Sequence, residues 1–250
     1  MPHKLNQTSR PLLEIAAASI ASALAAQEGG ADRIELCANL HEGGTTPSYG
    51  TLVEARRRLH IPIHVLIRPR GGDFLYDDTE VATMLSDIAA CAQAGANGIV
   101  IGALNVDGDI DIALCRRLIA AAGTLDVTFH RAFDTARDHD TALGTVIELG
   151  CQRILTSGGA PSAPQGAETL ARLVCRADGR VAIMAGGGIN AENVRELVAR
   201  SGVAECHGSA GGERRSVMHL RRTDLPGLEP DFVQTDVARV RALAAALRWD

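Results

Sequence analysis

Four segments of one design recur along this chain of 250 residues. Each carries a glycine at its second position, then three residues, then a short run typical of a β-strand. The segments are GGADRIEL (29–36), AGANGIVI (94–101), LGCQRILT (149–156) and SGVAECHG (201–208). Self-similarity of this kind indicates a fold built by repeating one supersecondary unit.

The repeated glycine sets the length of that unit. It occurs at Gly30, Gly95, Gly150 and Gly202, at intervals of 52 to 65 residues, the length of about two strand–helix pairs. A glycine just past a helix end supplies the positive φ at which many helices terminate. We therefore expect these glycines to end helices and to precede the second, fourth, sixth and eighth of eight strands.

Eight strand-type runs alternate with helical patterns along the chain. The predicted strands are 12–16, 33–37, 63–68, 98–102, 127–130, 153–156, 181–185 and 205–207. Helical patterns fill the intervals, for example at 77–94 and 191–200. An open doubly wound sheet alternates in the same way, but a fourfold βαβα repeat closes more naturally into a ring.

We therefore predict an α/β fold, a (β/α)8 TIM barrel that occupies residues 1–250 as a single domain. Residues 1–10 are expected to form an N-terminal tail. The arginine-rich stretch 211–232 is expected to be an irregular loop over the barrel mouth, followed by a last helix at 236–247.

Composition excludes several classes of protein. Hydrophobic residues make up 46% of the chain and aromatic residues only 3%, so the core must be aliphatic. The net charge is −5 and no basic tract interleaves with aromatic residues, which argues against a nucleic-acid partner. No stretch approaches the roughly 20 apolar residues of a membrane span. The only lysine is Lys4, in the tail, so an aldolase that depends on a lysine in its site is excluded.

The six cysteines are scattered and include no C-x-x-C pair. In a chain of this length such cysteines are typical of reduced thiols in a cytoplasmic protein.

Glycines and hydroxyls follow the last three predicted strands. In barrels of this type the loops after strands seven and eight often hold phosphate on free backbone N–H groups. The expected anion-binding residues here are Thr156, Ser157, Gly158, Gly186, Gly187, Gly188, Gly208 and Ser209. The alternative is that these glycines only permit tight turns.

Two glutamates, Glu14 and Glu35, lie near the ends of the first two predicted strands. If both face the lumen, two close carboxylates would raise one pKa and form a general acid–base pair. The alternative is a buried structural network in which they pair with Arg68 or Arg131.

Arginines and a histidine end the third and fifth predicted strands. Arg68 and Arg70 flank Pro69 in a loop whose guanidinium groups are able to hold a carboxylate or a phosphate. His130 ends the fifth strand, where it can serve as an acid, a base or a ligand. A purely structural role is the alternative for the arginines.

With these residues in view, the sequence resembles the CutC family, which is named for copper homeostasis. The resemblance rests on GGADRIELC (29–37), EGGTTPSYG (42–50), IRPRGGDFLY (67–76), VTFHRAFD (127–134), ILTSGG (154–159) and MAGGGI (184–189). It spans nearly all of residues 12–210. It implies a TIM-type barrel, a cytoplasmic location, a homo-oligomer (a dimer or a tetramer) and copper as the bound metal.

The family resemblance associates copper with cysteines on the first two strands. Cys37 matches the position on the second strand, whereas Ala16 stands where the first strand can carry a cysteine. Cu(I) prefers two or three soft ligands. One thiolate opposite Ala16 is a poor site, so the residues and the family name point in different directions.

Three hypotheses follow. The first is a copper-binding or copper-trafficking protein, as the resemblance implies. The second is an enzyme that acts on a small anionic metabolite, such as a phosphorylated one, by isomerase- or lyase-like acid–base chemistry without a lysine. The third is a sensor that uses the same pocket for binding alone.

Overall fold

The computed structural model of the protein describes residues 10–248, so all but the last residue of the predicted tail lies outside the described residues. All eight predicted strands are present, with ends that differ from the prediction by no more than two residues. The strands are β1 Leu12–Ala17, β2 Arg33–Leu36, β3 Ile63–Leu66, β4 Gly98–Ile101, β5 Asp126–Phe129, β6 Arg153–Thr156, β7 Ala182–Gly186 and β8 Glu205–Gly208.

Helices connect and cover these strands. They are α1 Ile20–Gly29, α2 Tyr49–Arg58, α3 Asp78–Gln93, α4 Ile112–Ala122, α5 His139–Leu149, α6 Ala167–Ala177, α7 Val194–Ser201 and α8 Val237–Ala246. Short 3-10 turns at Leu40–Glu42 and Arg131–Thr135 follow β2 and β5. In the part of the chain that the structure describes, no helix has both the length and the apolarity to cross a bilayer.

The strands form a closed, wholly parallel barrel in the order of the sequence, which confirms the predicted (β/α)8 TIM barrel. β8 closes the ring against β1, where Glu14 lies opposite His207 in the register. Closure brings residues from the two ends of the chain to one place. Only this pairing makes Glu14 and His207 neighbours.

The four repeated glycines have the predicted conformation. Their φ angles are +93° at Gly30, +79° at Gly95, +78° at Gly150 and +69° at Gly202. They lie just past α1, α3, α5 and α7 and precede the even-numbered strands. A side chain at such a φ would be strained, so the repeat in the sequence is a repeat of helix terminations.

Polar side chains begin most of the helices. Asp77 and Glu80 form a capping box at α3, in which each side chain accepts the other's backbone N–H. Asp138 and Asp236 accept N–H groups in the first turns of α5 and α8. These caps satisfy donors that the helix itself leaves unpaired.

The aliphatic core lies between the barrel and its helices. Alternate strand residues such as Leu13, Ile15 and Ile34 are fully buried there. The residues between them face the lumen, where most of the buried charged groups lie. Only four buried residues make up a separate apolar cluster inside the barrel: Ala16, Cys37, Leu66 and Val100.

The sequence predicted an irregular loop at 211–232, but part of this stretch is regular in the structure. It begins with strand β9, Gly211–Arg214, which pairs antiparallel with β10, Phe232–Thr235. We call residues 211–235 the arm. Local sequence gave little sign of these strands, because each has only four residues and most of their side chains are exposed or half-buried.

Candidate functional site

A cavity of about 450 Å³ opens at the carboxyl ends of the barrel strands. Of the residues predicted from the sequence, Glu35, Arg68, His130, Gly187, Gly188, Gly208 and Ser209 line it. Glu14 and Cys37 lie below this surface, while Arg70, Thr156, Ser157, Gly158 and Gly186 contribute nothing to the lining. The cavity also has wall residues that the sequence prediction left out, above all His207, Asp134 and Phe74.

Glu14 and Glu35 converge, and His207 lies between them. Nδ1 of His207 is 2.8 Å from Oε1 of Glu14, and its Nε2 is 3.8 Å from Oε2 of Glu35. Donor atoms of the three residues all lie within 4.8 Å of one another. The two glutamates are therefore close together, and His207 is the residue that links them.

The two carboxyl groups differ in their surroundings. Burial would raise the pKa of Glu14, but the hydrogen bond from His207 and the charge of Arg33 lower it well below its usual range. Burial raises the pKa of Glu35 to about 7, and the nearby Glu14 charge adds to this while His207 opposes it. Near neutral pH, Glu14 is ionised and Glu35 exchanges a proton readily.

His207 holds its proton more tightly than an ordinary histidine. Burial works against the charged ring, but the carboxylates of Glu35 and Glu14 outweigh it and raise the pKa of His207. Glu14, His207 and Glu35 therefore form a line of proton carriers that ends in the cavity. A histidine between two carboxylates is an arrangement that stores and passes a proton.

An ionic network underlies this group in the lumen. Arg33 donates to Glu14 through Nε and to Glu205 through Nη2, the latter at 2.6 Å. Arg153 approaches Glu205 to 3.3 Å and Asp126 to 3.4 Å. The structural role considered for Glu14 is thus present too, but its partner is Arg33 and not Arg68 or Arg131.

Glu14, Glu35 and His207 fit a metal ion poorly, although their donor atoms lie close together. Their donors are two carboxylates and an imidazole, yet Glu14 already accepts from Arg33 and His207. The Arg33 guanidinium places a positive charge beside the Glu14 carboxylate, where a cation would have to bind. The residues fit a proton relay better than a metal ion.

Cys37 does not form a copper site with its neighbours. Its thiol is 1% exposed and packs against Ala16, Leu66 and Val100, none of which can bind a metal. Burial, with the nearby Glu35 charge, raises the pKa of Cys37 well above its usual value. A protonated thiol without a second soft ligand does not fit Cu(I).

The loop after β6 binds an anion, and that anion is part of the protein. The carboxylate of Asp134 accepts from the backbone N–H groups of Ser157 and Gly159, each at 3.0 Å, and from the hydroxyls of Thr156 and Ser157. Although burial opposes it, the hydrogen bonds from Thr156 and Gly159 lower the pKa of Asp134. The donors expected to hold a ligand after the sixth strand are therefore already engaged.

The loops after β7 and β8 remain open to the cavity. Gly187 and Gly188 have φ angles of +100° and +73°, which exclude unstrained side chains. Their carbonyl oxygens accept from Ala163 N–H and Asn193 Nδ2, and both glycines line the cavity. Among residues 10–248, no acceptor approaches the N–H groups of Gly187, Gly188 or Ser209.

A cation stands beside this turn. The guanidinium carbon of Arg131 lies 3.6 Å from the position that a Cβ of Gly187 would take. Arg131 is held there by Asp134 at 2.7 Å and by the Ser157 hydroxyl at 3.0 Å. Free N–H groups next to a fixed guanidinium form an arrangement that suits a phosphate or a carboxylate.

The predicted arginines serve the loops. Arg68 donates through both terminal nitrogens to the carbonyl oxygens of Glu42, Gly44 and Gly72, and so ties two loops to the rim of the cavity. Arg70 is paired with Glu80 and points away from the cavity wall.

Sequence reasoning left out His207, Arg33 and Asp134 as site residues. His207 and Arg33 have the strand phase of lumen residues, which the alternation of the strands indicates. The contact of His207 with Glu14 depends on barrel closure, because the two residues are 193 positions apart in the sequence.

Comparisons with known proteins agree with this fold. The sequence model of the CutC family matches residues 11–212. A CutC family protein of Xylella fastidiosa is 53% identical to this chain over 239 residues, and the match covers 94% of this chain and 88% of that protein. One from Chromobacterium violaceum is 51% identical over 242 residues, covering 94% and 98%.

Solved structures give the same result. A CutC crystal structure from Streptococcus agalactiae, whose description assigns copper homeostasis provisionally, has a TM-score of 0.77 at 35% identity and covers 80% of this chain and 98% of that one. A phosphoribosyl anthranilate isomerase from Thermococcus kodakaraensis has a TM-score of 0.58 at 18% identity, with 96% and 100% covered. At that identity the likeness shows the fold alone.

Proposed function

The chain belongs to the CutC family, and from this premise we propose that it binds a small anionic metabolite in the barrel mouth and exchanges a proton with it through Glu35. The main support for this function is that Glu35 lines the cavity, is 5% exposed and has its pKa raised to about 7 by burial. A carboxyl group that titrates near the working pH is suited to general acid–base catalysis.

The anion is proposed to rest on the N–H groups of Gly187, Gly188 and Ser209, beside Arg131. This narrows the sequence-based anion site, because Asp134 already occupies the donors at Thr156, Ser157 and Gly159. Gly186 and Gly208 are the last residues of strands β7 and β8, from which the two loops start. His207 and Glu14 return the proton that Glu35 gives or takes.

Deuterium exchange tests the reaction class without knowledge of the substrate. The protein is incubated in D2O with a panel of small carbonyl compounds that carry a phosphate or a carboxylate, and deuterium beside the carbonyl is measured by mass spectrometry. We expect exchange with at least one compound. Glu35→Gln should slow it by about 100-fold or more, the usual contribution of an acid–base group.

Glu148→Gln is the matched control, since Glu148 is exposed on α5 and far from the cavity lining. It should exchange at the wild-type rate. If no compound exchanges, or if Glu35→Gln exchanges as fast as the wild type, the proposal is wrong.

A role in copper homeostasis is the second candidate, and the likeness to the Streptococcus agalactiae protein supports it. Since the residues around Cys37 do not fit Cu(I), we expect only weak copper binding that depends on Cys37. Competition with a strong Cu(I) chelator should strip the wild type completely. Cys175→Ser is the matched control for Cys37→Ser, because Cys175 is exposed on α6.

One Cu(I) per chain that survives the chelator in the wild type and in Cys175→Ser, but not in Cys37→Ser, would contradict this expectation. We also propose a cytoplasmic location, since all six cysteines are free thiols in the structure.

A further inference from the structure

A buried donor on one wall of the cavity has no acceptor within the described residues. Nε2 of His130 is shielded from solvent and unpaired, and the whole residue is only 5% exposed. Unpaired buried polar atoms are rare in native proteins, because each costs the free energy of its lost hydration. His130 lines the cavity and contacts the ring of Phe74, over which the guanidinium of Arg68 also lies.

The unpaired nitrogen of His130 carries a proton. Nδ1 accepts the backbone N–H of Ala132 at 3.1 Å, so the neutral ring must hold its hydrogen on Nε2. Burial, together with the charge of Arg68, lowers the pKa of His130 to about 3, so the ring stays neutral at any working pH. His130 is therefore a hydrogen-bond donor and neither an acid nor a base here.

His130 thus offers an N–H group and no acceptor. Beside it, the guanidinium of Arg68 is fixed in place by the carbonyl oxygens of Glu42, Gly44 and Gly72. A ligand group that satisfies this wall must present an oxygen lone pair, and a charged or polarised oxygen suits the nearby guanidinium best. Carbonyl and carboxylate oxygens meet that requirement.

We propose that this wall binds a carbonyl or carboxylate oxygen of the ligand, with His130 as the donor that polarises it. The inference rests on the proposed function and adds the ligand's class to it: a small carbonyl or carboxylic compound with a second anionic group for the glycine turn. His130 thereby becomes a catalytic residue.

The proposed proton abstraction uses side chains of this protein and needs no oxidant or reductant. The ionised carboxylate of Glu35 removes a proton from the carbon beside the carbonyl, and the C–H electron pair forms the carbon–carbon double bond. The π electrons of the C=O bond move to the oxygen, which becomes an enolate and accepts the Nε2–H of His130. When the enolate collapses, Glu35 returns a proton to that carbon, which restores the C=O bond and the Glu35 carboxylate.

Two probes of equal chain length separate the oxygen subsite from the anion site. 2-Phosphoglycolate carries a phosphate and a carboxylate, whereas ethyl phosphate carries the phosphate alone. We expect 2-phosphoglycolate to bind the wild type at least about tenfold more tightly, the effect of one charge-assisted hydrogen bond. In His130→Phe the two affinities should come within about twofold, while ethyl phosphate binds as before.

Wild-type protein gives an independent readout. In 15N-histidine spectra the Nε2–H proton of His130, assigned by its absence in His130→Phe or His130→Gln, should move downfield with 2-phosphoglycolate and stay in place with ethyl phosphate. His60→Phe is the matched control, since His60 is exposed, and it should keep the wild-type preference.

The outcomes separate the two proposals. If ethyl phosphate binds and shifts the amides of Gly187 and Gly188, but 2-phosphoglycolate shows no preference or keeps it in His130→Phe, the oxygen subsite is wrong and the anion site stands. If neither probe binds the wild type or shifts those amides, both proposals are wrong.

Discussion

Glu14 and Glu35 show how much a side chain's surroundings decide at the scale of single residues. They are the same amino acid on adjacent strands, and both are buried. Arg33 and His207 hold the pKa of Glu14 well below its usual range, whereas burial raises the pKa of Glu35 to about 7. Burial alone penalises both charges, so the difference comes from the hydrogen-bonded partners of Glu14.

The raised pKa of Glu35 predicts a pH-dependent stability. The group titrates at about 7 in the folded chain and at 4.5 in the unfolded one, so its contribution is fully present below pH 4.5 and is lost as the pH rises to 7. The loss amounts to about 3 kcal/mol by pH 8. Glu35→Gln does not titrate and should therefore gain about that much relative to the wild type between pH 5 and pH 8.

Urea unfolding of both proteins across that range measures the difference. Glu148→Gln, at an exposed position, should follow the wild type at every pH. If the free energies of unfolding of Glu35→Gln and the wild type changed with pH in the same way, Glu35 would have an ordinary pKa.

The buried histidines His64 and His130 make stability depend on pH in the opposite direction. Burial, the first cause at both, lowers the pKa of His64 to about 4 and that of His130 to about 3. Both stay neutral in the fold, so their contribution is present above pH 6.5 and is lost as the pH falls toward 3.

At the scale of elements, the 3-10 turn after β5 fixes the loop after β6. Asp134 lies on that turn, and its carboxylate accepts from Thr156, Ser157 and Gly159. The same carboxylate holds Arg131 beside Gly187. One side chain therefore shapes one loop and positions the cation of the next.

Asp134→Asn should be strongly destabilising and should weaken anion binding. An amide has only one accepting atom, and its NH2 group would face the N–H donors that the carboxylate now accepts. We expect a loss of about 3 kcal/mol in the free energy of unfolding, since several charge-assisted bonds are affected. Urea unfolding measures the first effect and phosphate titration the second.

Asp73→Asn is the control for this change, because Asp73 is exposed on the loop after β3. It should alter stability by no more than about 0.5 kcal/mol. If Asp134→Asn behaved like Asp73→Asn, the carboxylate would not organise the loop.

At the scale of the whole molecule, the arm is the most apolar part of the surface. Seven of the twelve exposed large hydrophobic side chains lie between residues 217 and 233. The family model ends at residue 212, so it leaves out nearly all of the arm. Exposed apolar side chains gathered in one segment are typical of surfaces that bind other proteins.

We expect the arm to form the homo-oligomer, a dimer or a tetramer, that the family resemblance implies. The double change Val217→Asp with Leu220→Asp should shift the protein toward the monomer, because charges would have to be buried in the contact. Light scattering of the wild type and the variant gives the masses. Val106→Asp, at an equally exposed site before α4, should leave the mass unchanged; a monomeric wild type would contradict the expectation.

The sequence by itself determined the eight barrel strands, the helix ends at the repeated glycines and the barrel. These depend on local patterns: a glycine at a positive φ ends a helix wherever it occurs, and alternation assigns each strand residue to the lumen or the helices. It also brought Glu35, His130 and the glycine turns to the cavity, whereas Glu14 lies deeper in the lumen than its predicted place near a strand end. That much needed no knowledge of distant contacts.

The tertiary structure alone decided which of these groups touch. Glu14 meets His207 because β1 and β8 pair, and it meets Arg33 because the stagger between β1 and β2 sets those side chains opposite each other. Asp134 takes the donors at Thr156 and Ser157 because a 3-10 turn aims it there. Side-chain phase is a local property, but register and stagger belong to the closed barrel, so contacts within its lumen follow only from closure.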